Sequence, residues 1–133
     1  MKKSKLKVMP EKMLTDVELE LMTILWRLGE GSVADVMAGL QAGRDLAYTS
    51  VSTILRILEQ KGVLRARKEG RGHIYFPALP KAEYETKAVQ HIVDRVFDGT
   101  PGALVRRLLD AGQLDKAALA ELQDIINKAG GRK

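Results

Sequence analysis

The sequence predicts a mainly α-helical chain with one small β-hairpin: three helices and the hairpin, then a helical C-terminal part. Three observations carry that expectation. Apolar residues recur at helical spacing in six separate segments. Two short runs with strand character, 63–68 and 73–77, flank the glycine-bearing stretch Glu69–Gly72. The length, 133 residues, suits a single domain or one domain with a short appendage.

Taken in order, Thr15 followed by Glu18 forms a capping box in which hydroxyl and carboxylate satisfy orphan backbone N–H groups. Leu21, Ile24, Leu25 and Leu28 then share a helical stripe with Trp26 beside it, and Gly29 and Gly31 stop the helix. Ser32 and Asp35 open a second helix that turns Val36 and Leu40 inward and ends by Gly39 and Gly43. A third runs from Tyr48 or Thr49 to Lys61. Its buried stripe is Val51, Ile54, Leu55 and Leu58, and Gly62 follows as a C′ glycine. Residues 63–68 read as a strand and Glu69–Gly72 as a turn whose glycines supply positive φ. Residues 73–77 form the return strand, which Pro77 ends for want of a donor. Tyr75 and Phe76 are expected over the core. Pro80 opens a long helix over 81–97. A shorter one covers 102–111 and ends at Gly112, and Asp115 caps a last one. The organisation is thus a basic flexible tail (1–13), a helix–helix–helix–hairpin domain (14–79) and a helical domain (80–133). Both chain ends, including the closing GGRK, are expected to fray. The last three helices are amphipathic and too few for a generous core of their own, so their apolar faces call for a partner such as a second copy of the chain. The residues expected there are Ile92, Val96, Leu104, Val105, Leu108, Leu109, Leu119, Leu122, Ile125 and Ile126.

Composition narrows the function. With no Cys, disulfide scaffolds, thiolate metal sites and Cys nucleophiles are excluded. The two His, His73 and His91, sit in different elements with no acidic cluster at metal-ligand spacing, so neither metal nor cofactor is expected. No carboxylate pair stands beside a nucleophile, and an enzyme is not expected. No apolar run of membrane-spanning length and no secretory core is present, so a cytoplasmic chain without membrane insertion is expected.

Charge is the positive signal. The net charge of +5 is unevenly placed. Residues 1–13 hold five Lys and one Glu, 14–43 hold five acids and one Arg, and 44–76 hold seven Lys or Arg and three acids. The basic central segment contains the third helix and the hairpin. That helix turns Thr49, Ser52, Thr53, Arg56 and Gln60 outward, with Tyr48 at its start and Ser50 near the edge of the face. Hydroxyl and β-branched residues there cost helix propensity. Short hydroxyls approach base edges and phosphates closely, and Arg56 suits guanine or a phosphate. Arg65, Arg67, Lys68 and Arg71 bracket the glycine-bearing tip and suit a neighbouring phosphate strand. Two glycines between strands do not make a dinucleotide loop, which needs three opening a helix. Helix face and basic hairpin together favour double-stranded DNA as partner. A protein-interaction module and an architectural DNA binder without sequence choice remain the alternatives.

The runs LTDVELELMTILWRLGEGSVADV and LAYTSVSTILRILEQKGVLRARKEGRGHIYFP closely resemble the penicillinase-repressor family, and VFDGTPGALVRRLL and LAELQDIINK resemble its dimerisation region. The resemblance covers residues 13–128. It implies a winged helix-turn-helix followed by a helical dimerisation domain, and a homodimeric repressor on a dyad-symmetric operator. It assigns Thr49–Lys61 as the recognition helix, with Thr49, Ser50, Ser52, Thr53 and Arg56 facing DNA, and Arg65–Ile74 as the wing. It further implies inactivation by a cognate membrane sensor protease that cuts between Asn and Phe in the short dimerisation helix. Arg107 and Leu108 hold the matching positions, so a protease acting here needs another specificity. Copper-responsive relatives carry paired C-terminal cysteines. This chain has none, which excludes copper sensing by that route.

Overall fold

The computed structural model describes residues 13–130. The basic tail, all but its last residue, and the final three residues of the closing GGRK lie outside them. The chain divides into two compact units, the first ending at Ala88 and the second starting at Val89.

The first unit begins with α1 (Asp16–Leu28) and α2 (Val33–Ala38). Both open on complete capping boxes, Thr15 with Glu18 and Ser32 with Asp35. The third helix, α3 (Tyr48–Gln60), ends in a Schellman motif. Gly62 takes φ +86°. Its N–H donates to the Glu59 carbonyl at 3.0 Å, and Val63 N–H donates to Leu58 at 3.0 Å. Val63 and Leu58 are both fully buried, the apolar contact that accompanies this motif. Strands β1 (Leu64–Glu69) and β2 (Gly72–Pro77) pair antiparallel with Glu69 opposite Gly72. The turn is therefore only Gly70–Arg71. Gly70 alone takes positive φ, +62°, the pattern of a II′ hairpin, and the second glycine is a strand residue rather than a turn residue. Gly31 exchanges two backbone hydrogen bonds with Tyr75, at 2.8 and 2.9 Å, and adds a one-residue bridge on the far edge of β2.

The core of this unit is where the helical stripes meet. Leu21, Met22, Leu25, Val36, Val51, Leu55, Leu58, Val63, Leu64 and Leu79 are fully buried, or within a per cent of it. Leu28, the last member of the expected α1 stripe, is instead exposed, because the helix ends at Gly29 and the chain turns away. Tyr75 is buried as expected and Phe76 is half-buried. Gly39 has an ordinary helical φ; its requirement is space, since an added Cβ would lie 2.7 Å from Ile24 Cγ2.

Helix α4 (Lys81–Val96) starts in the first unit and runs into the second. Trp26 Nε1 donates to the Leu79 carbonyl at 2.8 Å, and the Trp26 and Tyr84 rings stand 5.8 Å apart. Leu14 N–H donates to Tyr84 Oη at 3.2 Å. Tyr84, beyond residue 79, is thus part of the first unit's core. The second unit continues with α5 (Pro101–Asp110) and α6 (Lys116–Gly130). Gly112 at φ +72° ends α5, and Asp115 Oδ1 accepts from Ala118 N–H at 2.8 Å at the start of α6. Here Val93, outside the expected apolar stripe, is buried, whereas Ile92 and Val96 are exposed.

One ion pair joins the capping of α1 to the end of α3. Lys61 Nζ lies 2.7 Å from Glu18 Oε2, and Glu18 is 7% exposed. Burial pushes the Glu18 carboxyl up, but the hydrogen bonds from Lys61 and Thr15 outweigh it and hold it below its ordinary 4.5. A depressed carboxylate stabilises the fold fully above its unfolded pKa and loses that contribution as pH falls through the folded value. Glu18→Gln is therefore expected to cost roughly 1.5–3 kcal/mol at pH 7, the range for hydrogen bonds to a charged group. The difference from the parent should shrink as pH falls below 4.5. Urea midpoints at neutral and acid pH check this, and a pH-independent difference would refute it.

Candidate nucleic-acid interface

The acidic block over 14–43 and the basic block over 44–76 partly cancel. Arg44 Nε sits 2.9 and 3.0 Å from the two Glu20 oxygens. Lys61 meets Glu18 as above. Arg67 donates to both oxygens of Glu30, at 2.8 and 3.0 Å, and lies 3.5 Å from Glu69. These hydrogen bonds hold the Glu30 carboxyl below its usual range and raise the Arg44 and Arg67 guanidinium values further. The cations left without a carboxylate partner among the described residues of 44–76 are Arg56, Arg65, Lys68 and Arg71. Arg56 is on the outer face of α3 and the other three are on the hairpin.

On α3, Tyr48, Thr49, Ser50, Thr53 and Arg56 are exposed and Ser52 is half-buried. Thr49, Ser50 and Thr53 line a shallow open depression with Ile54. Ile57 is exposed as well, although in the sequence an apolar residue reads as core. The N-terminus of α3 differs from those of α1 and α2. Ala47 stands at the cap position with no side-chain hydrogen bond, so the first N–H groups of the helix face outward with the positive end of its dipole. On the hairpin, Arg65, Arg67, Lys68, Arg71 and His73 are all exposed. The His73 ring stands 6.3 Å from that of Tyr75, whose phenol burial pushes above its ordinary value. Among the described residues no group of three His, Cys, Asp or Glu is placed to hold a metal, and no helix is long and apolar enough to cross a membrane.

In the second unit, Ile92, Val96, Val105, Leu109, Leu119, Ile125 and Ile126 are exposed, and Leu104, Leu108 and Leu122 are half-buried. Val89, exposed one turn before Ile92 and Val93, joins them. Arg107 and Leu108 lie inside α5. The Arg107 carbonyl accepts from Ala111 N–H at 2.9 Å, and its guanidinium is 3.2 Å from Asp110.

Three helices, the third with an open polar face, and a hairpin bridged on its other edge by a single residue define a winged helix-turn-helix. The family described as Penicillinase repressor matches residues 14–128. The chain belongs to that family. It is 28% identical to the penicillinase repressor of Bacillus licheniformis, across 90% of this chain and 94% of that one. It is 35% identical to the transcriptional regulator BlaI of Mycobacterium tuberculosis (strain ATCC 25618 / H37Rv), across 74% of this chain and 86% of the relative. The solution structure of the DNA binding domain of the repressor BlaI covers 53% of this chain and 87% of its own, at 30% identity and a TM-score of 0.48.

Proposed function

We propose that this chain is a homodimeric transcriptional repressor that binds a dyad-symmetric operator. The observation that carries the reading is the charge left after internal pairing. Arg56, Arg65, Lys68 and Arg71 remain unpaired among the described residues, on one helix face and the hairpin beside it. In this reading α3 enters the major groove, where Arg56 and the hydroxyls of Thr49, Ser50, Ser52 and Thr53 meet base edges and phosphates. Tyr48 stands at the uncapped helix start, where outward N–H groups suit a phosphate. Exposed Ile57 offers an apolar contact for a thymine methyl. The wing lies along a phosphate strand through Arg65, Lys68 and Arg71. The exposed apolar stripes of α4, α5 and α6 pack against a second copy, which places two α3 helices in grooves about one helical turn, or a multiple, apart. Release by a cognate sensor protease acting at Arg107–Leu108 requires α5 to open first, since a protease takes an extended chain. Finding only intact repressor after incubation in lysate of induced cells would count against it.

The test is selection of random duplex DNA at physiological salt, followed by a salt titration on the winning sequence. A palindrome with regularly spaced half-sites is expected. Binding without a motif would favour an architectural role, and no binding by folded protein would favour a protein partner. On the selected duplex, Arg56→Ala is expected to cost about 1–3 kcal/mol and to relax preference at one base position. Arg71→Ala is expected to reduce the salt slope by about one and to weaken all sequences alike. An unchanged slope would remove Arg71 from the interface.

A further inference from the structure

The register of the hairpin sets Arg65 opposite Phe76 and Arg67 opposite Ile74. Directly opposed residues of an antiparallel pair lie on the same face of the sheet. β2 is the central strand, because Tyr75 gives its own N–H and C=O to Gly31 on the edge away from β1. Arg67 on β1 must therefore reach across β2 to meet Glu30, the residue before Gly31 and 37 positions earlier in the chain. Both terminal nitrogens of its guanidinium are engaged there, at 2.8 and 3.0 Å, and Glu69 adds a contact at 3.5 Å. The side chains are 45% and 51% exposed, where a single-contact ion pair would be weak. A fork-on-fork arrangement is the stronger kind, and here it spans a backbone bridge of only one residue. Glu30 thus takes one N–H from each terminal nitrogen and neutralises the charge that a phosphate would otherwise recruit.

We propose that Arg67 is the strut of the wing and not a phosphate contact: with Glu30 it clamps β1, across β2, to the turn leaving α1. Glu30 is thereby a positioning residue for the DNA-facing tip. The DNA half of this statement rests on the repressor reading above; the strut itself does not.

The experiment uses the full chain and three variants: Glu30→Gln, Arg67→Ala and the charge-swapped double variant Glu30→Arg/Arg67→Glu. Hydrogen exchange at the Tyr75 amide, measured without DNA, is expected to speed up several-fold in each single variant and to slow again in the double. On the selected duplex, each single variant is expected to bind more weakly, and the double to regain most of the loss because the swapped pair rebuilds the strut. A phosphate contact demands the reverse: the double variant, with a carboxylate facing the DNA backbone, would bind worse than either single. That ordering, or unchanged Tyr75 exchange in Glu30→Gln, overturns the proposal. If the parent chain binds no duplex at all, the repressor reading falls alone, and the exchange rates still decide the strut.

Discussion

A chain ending at Ala88 is expected to sediment as a monomer and to bind a palindromic duplex about 10²–10⁴-fold more weakly than the full protein, through loss of the second linked site. Sequence alone suggests a cut after Pro80. The structure moves it, because Tyr84 stacks near Trp26 and its hydroxyl accepts from Leu14, so a cut at residue 80 would damage the first unit as well. Ending at Ala88 removes Val89, Ile92, Val96 and the whole of α5 and α6, which hold most of the large exposed apolar side chains. Patches of this kind mark association surfaces. Analytical ultracentrifugation and a half-site titration read the two consequences separately. A truncated chain that stays dimeric would place the interface in the first unit.

Leu55→Ala is expected to lower the stability of the first unit by about 2–5 kcal/mol, the range for a truncated core leucine that leaves a cavity. Leu55 is fully buried on the inner stripe of α3 with Val51 and Leu58, and α1, α2 and the hairpin share that core. The loss should appear as a lower urea midpoint with an unchanged slope. Leu55→Met, which keeps volume, should cost under about 1.5 kcal/mol. Binding by the Leu55→Ala protein that remains folded should keep its sequence preference, since the outer face of α3 is untouched. A change of base preference would mean that core packing sets the angle of α3.

The parts of the fold that were legible are those decided within a few residues. Both capping boxes are hydrogen bonds three positions apart, and Gly62 ends α3 through bonds to Glu59 and, by way of Val63, to Leu58. The outer face of α3 was legible for the same reason: helical periodicity fixes which side chains oppose Val51, Leu55 and Leu58. The hairpin was legible as two runs about a glycine, but its turn shrank to Gly70–Arg71 because strand pairing continued to Gly72.

What stayed hidden depends on partners far along the chain. Glu20 meets Arg44 across 24 positions, Glu30 meets Arg67 across 37 and Glu18 meets Lys61 across 43. Trp26 finds the Leu79 carbonyl across 53. Nothing local marks Leu79 or Val63 as fully buried, and while Gly39 ends α2 as the sequence reads it, only the fold shows that Ile24 forbids a Cβ there. By itself the sequence determined the element order, the family and the pool of basic and hydroxyl residues a nucleic acid would meet. Tertiary structure alone decided which cations in that pool are already neutralised and which still face outward, because an ion pair forms only where the folded backbone brings charge to within a few ångströms.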